Sequence, residues 1–600
     1  MFRSVILFLT LLTPSQQKRL FFLQILVVLM ALAEIIGVAS IGPFMALISD
    51  IDILSGNNLL ANLYKTSGLT KPYDFLFWMG WIVLFLLTAG ALISMLTIWR
   101  LSLFAQKTGT EIGDRLFKHY MYQPWLFHAS ESSAQLTKQI ATETERVTAN
   151  IITPLMHMNA RLVAALFMSV AIFMYNPKIM IFGVGIFSFA YVLLYNLIKI
   201  RLTLNGETIS KASLQRFKLM SEGFGGIKEL LLLGRQRDFV ERFESSGKKL
   251  AHSLGSTLVL SQVPRYFMEL IGLGSVIFLI LYLTKYFEGD LGSVLPVLSV
   301  YSLAGLKLLP VFQTTYGSIA QIRGSLSAFE SIKEDLKASH KVAKYEINPT
   351  PNTQSLQVKN SIELKNIEFT YPGKKIPALT RFNIRIPVNH VIGLVGSSGS
   401  GKSTAIDILL GLIKPDSGHL LVDDKPLSSS QTRDWQNTLG FVPQSIFLAD
   451  ATIMENIAFG LTSNAINTER VKRVIKWVHL DEYVQQLPWG LNTTVGERGM
   501  QLSGGQRQRI GIARSLYNDA QVLILDEATS ALDCISEKII MDTIHEFSGN
   551  KTIVLITHRF STVQKCDLIY FMDEGKIADQ GTYDDLFERN ETFKKMAMQI

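Results

Sequence analysis

A glycine-rich loop followed by a lysine and two hydroxyl residues lies at residues 396–404, where the chain reads Gly-Ser-Ser-Gly-Ser-Gly-Lys-Ser-Thr. It follows the apolar run 391–395, which has the composition of a buried strand. Such a loop turns backbone N–H groups onto phosphates, while its lysine reaches the β- and γ-phosphates and its serine hydroxyl binds Mg²⁺. The residues that we expect at this phosphate site are Gly396, Ser397, Gly399, Ser400, Gly401, Lys402, Ser403 and Thr404.

Four polar residues follow other apolar runs in the same half of the chain. Asp526 is expected to hold Mg²⁺ through water, and Glu527 to orient or deprotonate an attacking water. His558 ends the next strand-like run and can contact the γ-phosphate. Gln444, in Phe-Val-Pro-Gln, can reach the metal and the water. This set predicts hydrolysis of ATP, with ATP and Mg²⁺ bound.

A second anion site is predicted where Leu-Ser-Gly-Gly-Gln, residues 502–506, leads into a helix. The Ser503 hydroxyl and the backbone N–H groups of Gly504 and Gly505 would lie at the helix N-terminus, where anions bind. One nucleotide needs one phosphate site. The second site therefore indicates that two such domains share their nucleotides.

The first half of the chain is apolar. Six stretches are long enough to cross a bilayer, which takes about 20 residues each. They lie near 20–48, 74–99, 155–175, 178–199, 266–284 and 293–320. The loops 100–154 and 200–265 are rich in Lys and Arg, which predicts a cytoplasmic location for them and for both termini. These loops keep helical spacing, and we expect short transverse helices near 120–127 and 221–227.

The composition agrees with a membrane half joined to a soluble half. The 600 residues are 48% hydrophobic and only 18% charged, with a net charge of +8. We expect a transmembrane domain over 1–337, a linker over 338–360 and an α/β P-loop domain over 361–600. The chain has no basic cluster with interleaved aromatic residues, which argues against nucleic acid binding. Cys534 and Cys566 are expected to be free thiols in a reducing compartment.

Two short segments each leave two interpretations open. Residues 4–12 are expected to form an interfacial helix, the alternative being a cleaved signal peptide. Residues 57–64, in the first outer loop, have the pattern of a short amphipathic helix at the outer leaflet, and an ordinary loop packed by its leucines is the alternative.

The whole chain resembles the ABC exporters in their half-transporter form. The P-loop, Gln444, the 502–506 signature, Asp526-Glu527, Ser-Ala-Leu-Asp at 530–533 and His558 occur in the family's order. The resemblance implies a head-to-tail pair of ATPase domains. Each ATP would lie between Lys402 of one copy and Ser503 and Gln506 of the other, with Tyr371 on the adenine and Asp533 joining the two sites. No catalytic position departs from the family pattern, so a homodimer can build two active sites; a heterodimer stays open.

The membrane half is similar to bacterial flippases for lipid-linked oligosaccharides. The similar stretches are 33–44, 123–128, 227–230 and 264–269. The resemblance implies a plasma (inner) membrane protein that flips an amphiphile, at best guess a lipid-linked oligosaccharide, to the outer side by alternating access. Lipid A-like glycolipids, hydrophobic drugs and peptides are the alternative substrates. A soluble or DNA-associated ATPase and a gated channel are the competing classes; the six spans oppose the first, and the intact catalytic motifs oppose the second.

Three cationic residues lie within or near the predicted spans. Charged groups are costly there unless they face a cavity or a partner. Lys307, Arg265 and Arg161 could therefore line an inward cavity for an anionic headgroup. Alternatively, the arginines reach the interface, or Glu34 and Glu269 pair with them.

Overall fold

The structure is a computed structural model that describes residues 2–49, 51–55, 59–175, 177–286, 291–342, 355–529 and 534–598. The chain divides into two compact units. The first comprises Met1–Gln123 and Phe127–Glu346, and the second comprises Pro124–Leu126 and Ile347–Ile600.

The first unit is helical. Its helices are α1 (Phe2–Thr10), α2 (Pro14–Ser49), α3 (Leu59–Thr66), α4 (Pro72–Met121), α5 (Trp125–Ser130), α6 (Ser133–Lys138), α7 (Thr144–Val147), α8 (Thr153–Tyr175), α9 (Pro177–Gly225), α10 (Ile227–Leu233), α11 (Gln236–Tyr286) and α12 (Leu291–Val342). Single π-helical turns at Gln139–Glu143 and Thr148–Ile152 join α6, α7 and α8. The long helices bury apolar side chains against one another.

Two apolar clusters organise this unit. One joins α1, α2, α4, α8 and α12, and includes the edge-to-face pair Phe8–Phe329, whose ring centroids are 6.0 Å apart. The other joins α9, α11 and α12. At Gly206 of α9 an added Cβ would lie 2.4 Å from the Gly324 carbonyl oxygen of α12, so a glycine is needed where these helices meet.

Among the described residues, four segments are long and apolar enough to cross a membrane: Pro14–Ile48, Pro72–Met121, Ser133–Met174 and Phe187–Gly225. They overlap the first four predicted spans. The last two predicted spans, 266–284 and 293–320, lie partly outside the residues whose side chains the structure describes. Helix α4 ends before Pro124, as its sequence predicts, because proline cannot continue a helix interior.

The second unit is an α/β domain, and its described residues form ten strands. They are β1 (Ser361–Phe369), β2 (Leu379–Pro387), β3 (Val391–Gly396), β4 (Ser417–Val422), β5 (Lys425–Pro426), β6 (Leu439–Val442), β7 (Val522–Asp526), β8 (Thr552–Ile556), β9 (Leu568–Asp573) and β10 (Lys576–Gly581). A four-stranded antiparallel sheet has the order β2-β1-β4-β5, and a six-stranded sheet has the order β10-β9-β3-β8-β7-β6. In the larger sheet, β3 and β6 to β9 are parallel.

The described part of this domain also contains ten α-helices. They are α13 (Lys402–Leu409), α14 (Thr432–Thr438), α15 (Ile453–Ile457), α16 (Thr468–Trp477), α17 (Asp481–Gln486), α18 (Gly504–Tyr517), α19 (Cys534–Glu546), α20 (Phe560–Val563), α21 (Tyr583–Arg589) and α22 (Glu591–Met598). All six residues of β3 are buried, as expected for a central parallel strand. The predicted fold class, a helical membrane domain followed by an α/β P-loop domain, is confirmed.

Candidate functional site

The loop between β3 and α13 has the backbone geometry of a phosphate cradle. Gly399 and Gly401 have φ angles of +83° and +97°, in the region that favours glycine. A Cβ on Gly401 would lie 2.7 Å from the Ala378 carbonyl oxygen. A Cβ on Gly396 would lie 2.3 Å from that of Met572. Side chains at Gly396 and Gly401 would therefore clash with backbone outside the loop and displace it.

Lys402 begins α13 and its side chain folds back over the loop. The Nζ atom donates hydrogen bonds of 2.8 Å to the carbonyl oxygens of Gly396 and Ser397. Burial lowers the pKa of Lys402, against the opposing effect of the nearby Glu527 and Asp526 carboxylates. The ammonium group therefore lies between the loop and the acidic residues.

Three hydroxyl residues of the loop and helix are placed differently. Ser400 Oγ is buried and has no hydrogen-bond partner among the described residues, as expected of a group that takes an external partner. Ser403 is exposed at the start of α13. The Thr404 hydroxyl lies 3.2 Å from that of Tyr371, whose ring is half-buried. The loop and the nearby Tyr371 thus offer a nucleotide both polar groups and an aromatic ring.

Asp526 and Glu527, at the end of β7, form what we call the acidic edge of the larger sheet. Glu527 lies immediately after β7. Gln444 Nε2 donates a 2.7 Å hydrogen bond to Glu527 Oε2, and His558 Nε2 contacts Oε1 at 2.9 Å. Gln444 follows β6 and His558 follows β8, so three neighbouring strands each contribute one residue. Glu527 has a φ of +47°, and its N–H donates to the Ile556 carbonyl oxygen at 2.8 Å. The strand order brings together the residues predicted to position water.

Asp526 is the last residue of β7 and is partly buried. Burial raises its pKa to about 6, with help from the Glu527 and Asp407 carboxylates and opposition from Lys402. Among the described residues, no cluster of three His, Cys, Asp or Glu side chains could hold a metal by itself. The hydroxyl, amide and carboxylate oxygens of Ser403, Gln444 and Asp526 suit Mg²⁺, which takes few protein ligands together with substrate phosphates.

The signature residues form a separate group at the start of α18. Ser503 Oγ accepts a 3.2 Å hydrogen bond from the Gln506 N–H, and Ser503 N–H donates to Gln506 Oε1 at 2.8 Å. This capping box orients the N-terminus of a 14-residue helix. The described side-chain hydrogen bonds of Ser503 and Gln506 join these two residues to each other. Asp533 lies outside the described residues.

The two candidate arginines of the membrane unit each have a carboxylate partner. Arg161 Nη1 lies 3.7 Å from Glu34 Oε1, which also accepts a 2.8 Å hydrogen bond from Ser94. Arg265 Nε lies 2.7 Å from Glu269 Oε1. The pairing considered for both arginines is what the structure contains. The Lys307 side chain lies outside those that the structure describes.

Two residues with contacts to segments of the ATPase domain were not predicted from the sequence. Glu537, in the first turn of α19, contacts Thr529 and Arg559, which adjoin the catalytic segments. Arg514 of α18 donates to the carbonyl oxygens of Phe447 and Asn456 at 3.0 and 2.8 Å. Neither has a local motif; their partners are 8 to 67 residues away, so only the fold reveals these contacts.

Two family models match this chain. One, described as ABC transporter, matches residues 379–530, and one, described as ABC transporter transmembrane region, matches residues 21–306. The first therefore includes the phosphate loop, Gln444, the signature and Asp526-Glu527, whereas His558 lies beyond it. The second includes the first four predicted spans almost entirely.

Curated relatives match over most of their length. An ATP-dependent lipid A-core flippase of Photorhabdus laumondii is 27% identical over 93% of this chain and 95% of the relative. Its namesake in Escherichia coli K12 is 26% identical over 87% of this chain and 88% of the relative.

A solved bacterial Atm1-family ABC exporter with ATP bound has the same fold. Its TM-score is 0.76, with 22% identity, over 97% of this chain and 98% of that one. The phosphate loop and the acidic edge lie within the ABC transporter match, and apolar helices of the first unit lie within the transmembrane-region match. The chain belongs to the ABC transporters, as a multi-pass half-transporter of the exporter type that couples ATP hydrolysis to transport.

Proposed function

We propose that this protein flips or exports a lipid A-like glycolipid from the cytoplasmic to the outer side of the inner membrane. The proposal draws on the lipid A-core flippases that match nearly the whole chain. The lipid-linked oligosaccharide that the sequence analysis favoured is not confirmed, and the lipid A-like alternative agrees better with these relatives. Both are amphiphiles with a phosphorylated headgroup.

The observation that carries the ATPase part is the placement of Glu527 between Gln444 and His558. Such a carboxylate can orient the attacking water and accept its proton, while His558 holds the γ-phosphate. Lys402 and the N–H groups of the loop would bind the phosphates. Ser403, Asp526 and Gln444 would hold Mg²⁺, which neutralises charge on the β- and γ-phosphates when it is bound.

Two copies of the chain are proposed to act together. The capped N-terminus of α18, with Ser503, Gly504 and Gly505, presents N–H groups and a hydroxyl that can bind an anion. It would meet the phosphate loop of the other copy, with Gln506 and Asp533 at the shared boundary. Tyr371 would stack on adenine. Closure around ATP and reopening after hydrolysis would then open the substrate path of the membrane domains to one side of the membrane and then to the other. The ATPase domains and both termini would lie in the cytoplasm.

Three cationic residues are proposed to contact the substrate, because their positive charge suits a phosphorylated headgroup. Arg265 has a side chain that is 62% exposed, so its pair with Glu269 leaves N–H donors available. Arg161 is a weaker candidate, because its side chain is only 33% exposed and Glu34 lies beside it. A phosphate could replace either carboxylate as the partner of its arginine. Lys307 is proposed as a third contact on its position alone.

The test is ATP-driven flipping in proteoliposomes. Purified protein is reconstituted with labelled lipid A-like glycolipid, with labelled polyprenyl-pyrophosphate oligosaccharide, or with a neutral lipid as control. We expect flipping of the first, and loss of it in Glu527→Gln, which still binds ATP. Removing the base reduces hydrolysis about 10²- to 10⁴-fold.

Two outcomes decide between the substrates, and a third tests the mechanism. Flipping of the oligosaccharide lipid, without flipping of the lipid A-like glycolipid, would favour the lipid-linked oligosaccharide as the substrate. Brisk ATPase activity without flipping of either glycolipid would reject both and leave drugs or peptides. Sustained flipping by Glu527→Gln would contradict the proposed hydrolytic mechanism. Lys402→Ala gives the baseline, because it removes the phosphate contact itself.

A further inference from the structure

Glu537 connects two segments that leave neighbouring strands of the larger sheet. Thr529 Oγ1 donates a 3.1 Å hydrogen bond to Glu537 Oε1, and the Arg559 guanidinium forms an ion pair with Oε2. The Glu537 side chain is only 13% exposed and Thr529 is buried. Each carboxylate oxygen of Glu537 therefore has one partner.

These contacts close a ring around the proposed catalytic pair. Thr529 follows Glu527 by two residues, and Arg559 directly follows His558. His558 Nε2 and Glu527 Oε1, 2.9 Å apart, complete the ring. Moving either segment would break at least one of the three side-chain contacts.

The ring acts where the backbone most needs support. Glu527 has a φ of +47°, a conformation that non-glycine residues adopt at a cost and keep only when their surroundings impose it. His558 has a side chain that is 44% exposed, so packing alone does not determine its orientation. The Arg559 N–H also donates to Thr557 Oγ1 at 2.9 Å, which ties Arg559 to the turn that carries His558.

We propose that Glu537 is a positioning residue for ATP hydrolysis, which sets the distance between Glu527 and His558 through Thr529 and Arg559. It touches neither nucleotide nor water in this role. The inference rests on the roles proposed above for Glu527 and His558.

The test separates turnover from binding. We expect Glu537→Ala to lower the kcat for ATP about tenfold, within the range that misplacement of a reacting group costs. The KM and the affinity for ATP should stay within about twofold, because the phosphate loop is untouched. Asp542→Asn is the matched control: Asp542 lies on the same helix and loses a 2.8 Å ion pair with Lys565 that is outside the ring. Its kcat should equal that of the wild type.

A second pair of variants tests the ring if Glu537→Ala does not fold. Thr529→Val removes the donor at nearly constant volume, and Arg559→Lys keeps the positive charge. Thr529→Val should lower kcat at constant KM, and Arg559→Lys should retain more activity than Arg559→Gln. Combining Glu537→Gln with Arg559→Gln should reduce kcat by less than the product of the single effects.

The outcomes distinguish this inference from the proposed function. If Glu527→Gln abolishes hydrolysis while Glu537→Ala matches Asp542→Asn, the positioning role is wrong and the catalytic assignment stands. A rise in KM at constant kcat would also overturn it, since the residue would then serve binding. Full hydrolysis by Glu527→Gln would remove the assignment on which the inference rests.

Discussion

At the scale of single residues, the acidic edge combines groups whose charges work against each other. Asp526 is buried enough to raise its pKa to about 6, while Glu527 beside it has Gln444 and His558 as partners. Adjacent carboxylates with unlike environments can take different roles, one toward a cation and one toward a proton. Lys402 lies close enough to stabilise both. The separation of metal and water roles thus follows from which neighbours each carboxylate has.

Tyr371 provides a test of nucleotide binding at this scale. Tyr371→Ala should raise the KM for ATP about tenfold, because base–aromatic stacking is worth ~1–3 kcal/mol. Tyr371→Phe keeps the ring and loses only the 3.2 Å contact with Thr404, so its KM should stay near that of the wild type. Steady-state ATPase kinetics over a range of ATP concentrations measure both. Equal defects in the two variants would contradict the stacking role.

The sequence predicts much of the site, because a strand end followed by a polar residue is a local pattern. Lys402, Gln444, Asp526, Glu527 and His558 could all be named in this way. The contacts of the Glu527 carboxylate with Gln444 and His558 could not be predicted, because they depend on the order of the strands in the sheet. The pairing of Arg161 with Glu34 was only one of two alternatives, because residues 127 apart in the chain give no periodic signal.

At the scale of elements, glycine was the less reliable indicator of helix ends. A short transverse helix was expected near 221–227, but α9 continues to Gly225 and the short helix is Ile227–Leu233. A glycine costs a helix interior only about 1 kcal/mol, which packing can offset. Pro124 was a better indicator, because a proline removes a hydrogen bond and clashes with the preceding turn.

The π-helical turns between α6 and α8 adjoin a buried charge cluster that can be tested. Glu143 is fully buried and forms ion pairs with Lys138 and Arg146, the second with an N–O distance of 2.8 Å. Arg146 also donates a hydrogen bond to the Ser210 hydroxyl. Glu143→Ala should lower the free energy of unfolding by about 3–5 kcal/mol, because it leaves two cations without their shared partner. Thermal or denaturant unfolding of the detergent-solubilised protein measures the change.

Glu334→Ala is the matched control for this cluster. Glu334 also contacts two lysines, Lys333 and Lys337, but its side chain is 74% exposed. Water can replace its contacts, so the unfolding midpoint should be almost unchanged. An equally small effect of Glu143→Ala would mean that the cluster does not hold these helices together.

At the scale of the whole molecule, one chain carries a phosphate loop and a signature helix whose described polar contacts are separate. Ser503 and Gln506 are hydrogen-bonded to each other and cap α18. Lys402 donates its hydrogen bonds to the phosphate loop itself. If two copies share each ATP, every site takes its lysine from one copy and its serine from the other. Damage to the two motifs then has different consequences in the same copy and in opposite copies.

Tagged heterodimers make this difference measurable. Ser503→Asp keeps a good helix cap but places a carboxylate where a phosphate would bind. With Lys402→Ala and Ser503→Asp in the same copy, both sites are damaged and ATPase activity should fall to background. With the two changes in opposite copies, one site carries both and the other is intact. That dimer should keep activity well above background, up to about half of the wild type if the two sites act independently.

The purification must exclude exchange between copies, because a wild-type homodimer would imitate one intact site. Two different affinity tags used in sequence, with cross-linking before the assay, meet this need. Each single variant in both copies should be inactive, which shows that both motifs are required. Higher activity with both changes in the same copy than with the changes in opposite copies would place Lys402 and Ser503 of one copy on the same nucleotide, and the shared-site dimer would be wrong. A difference in the expected direction would explain why a chain with one ATPase domain carries two anion sites.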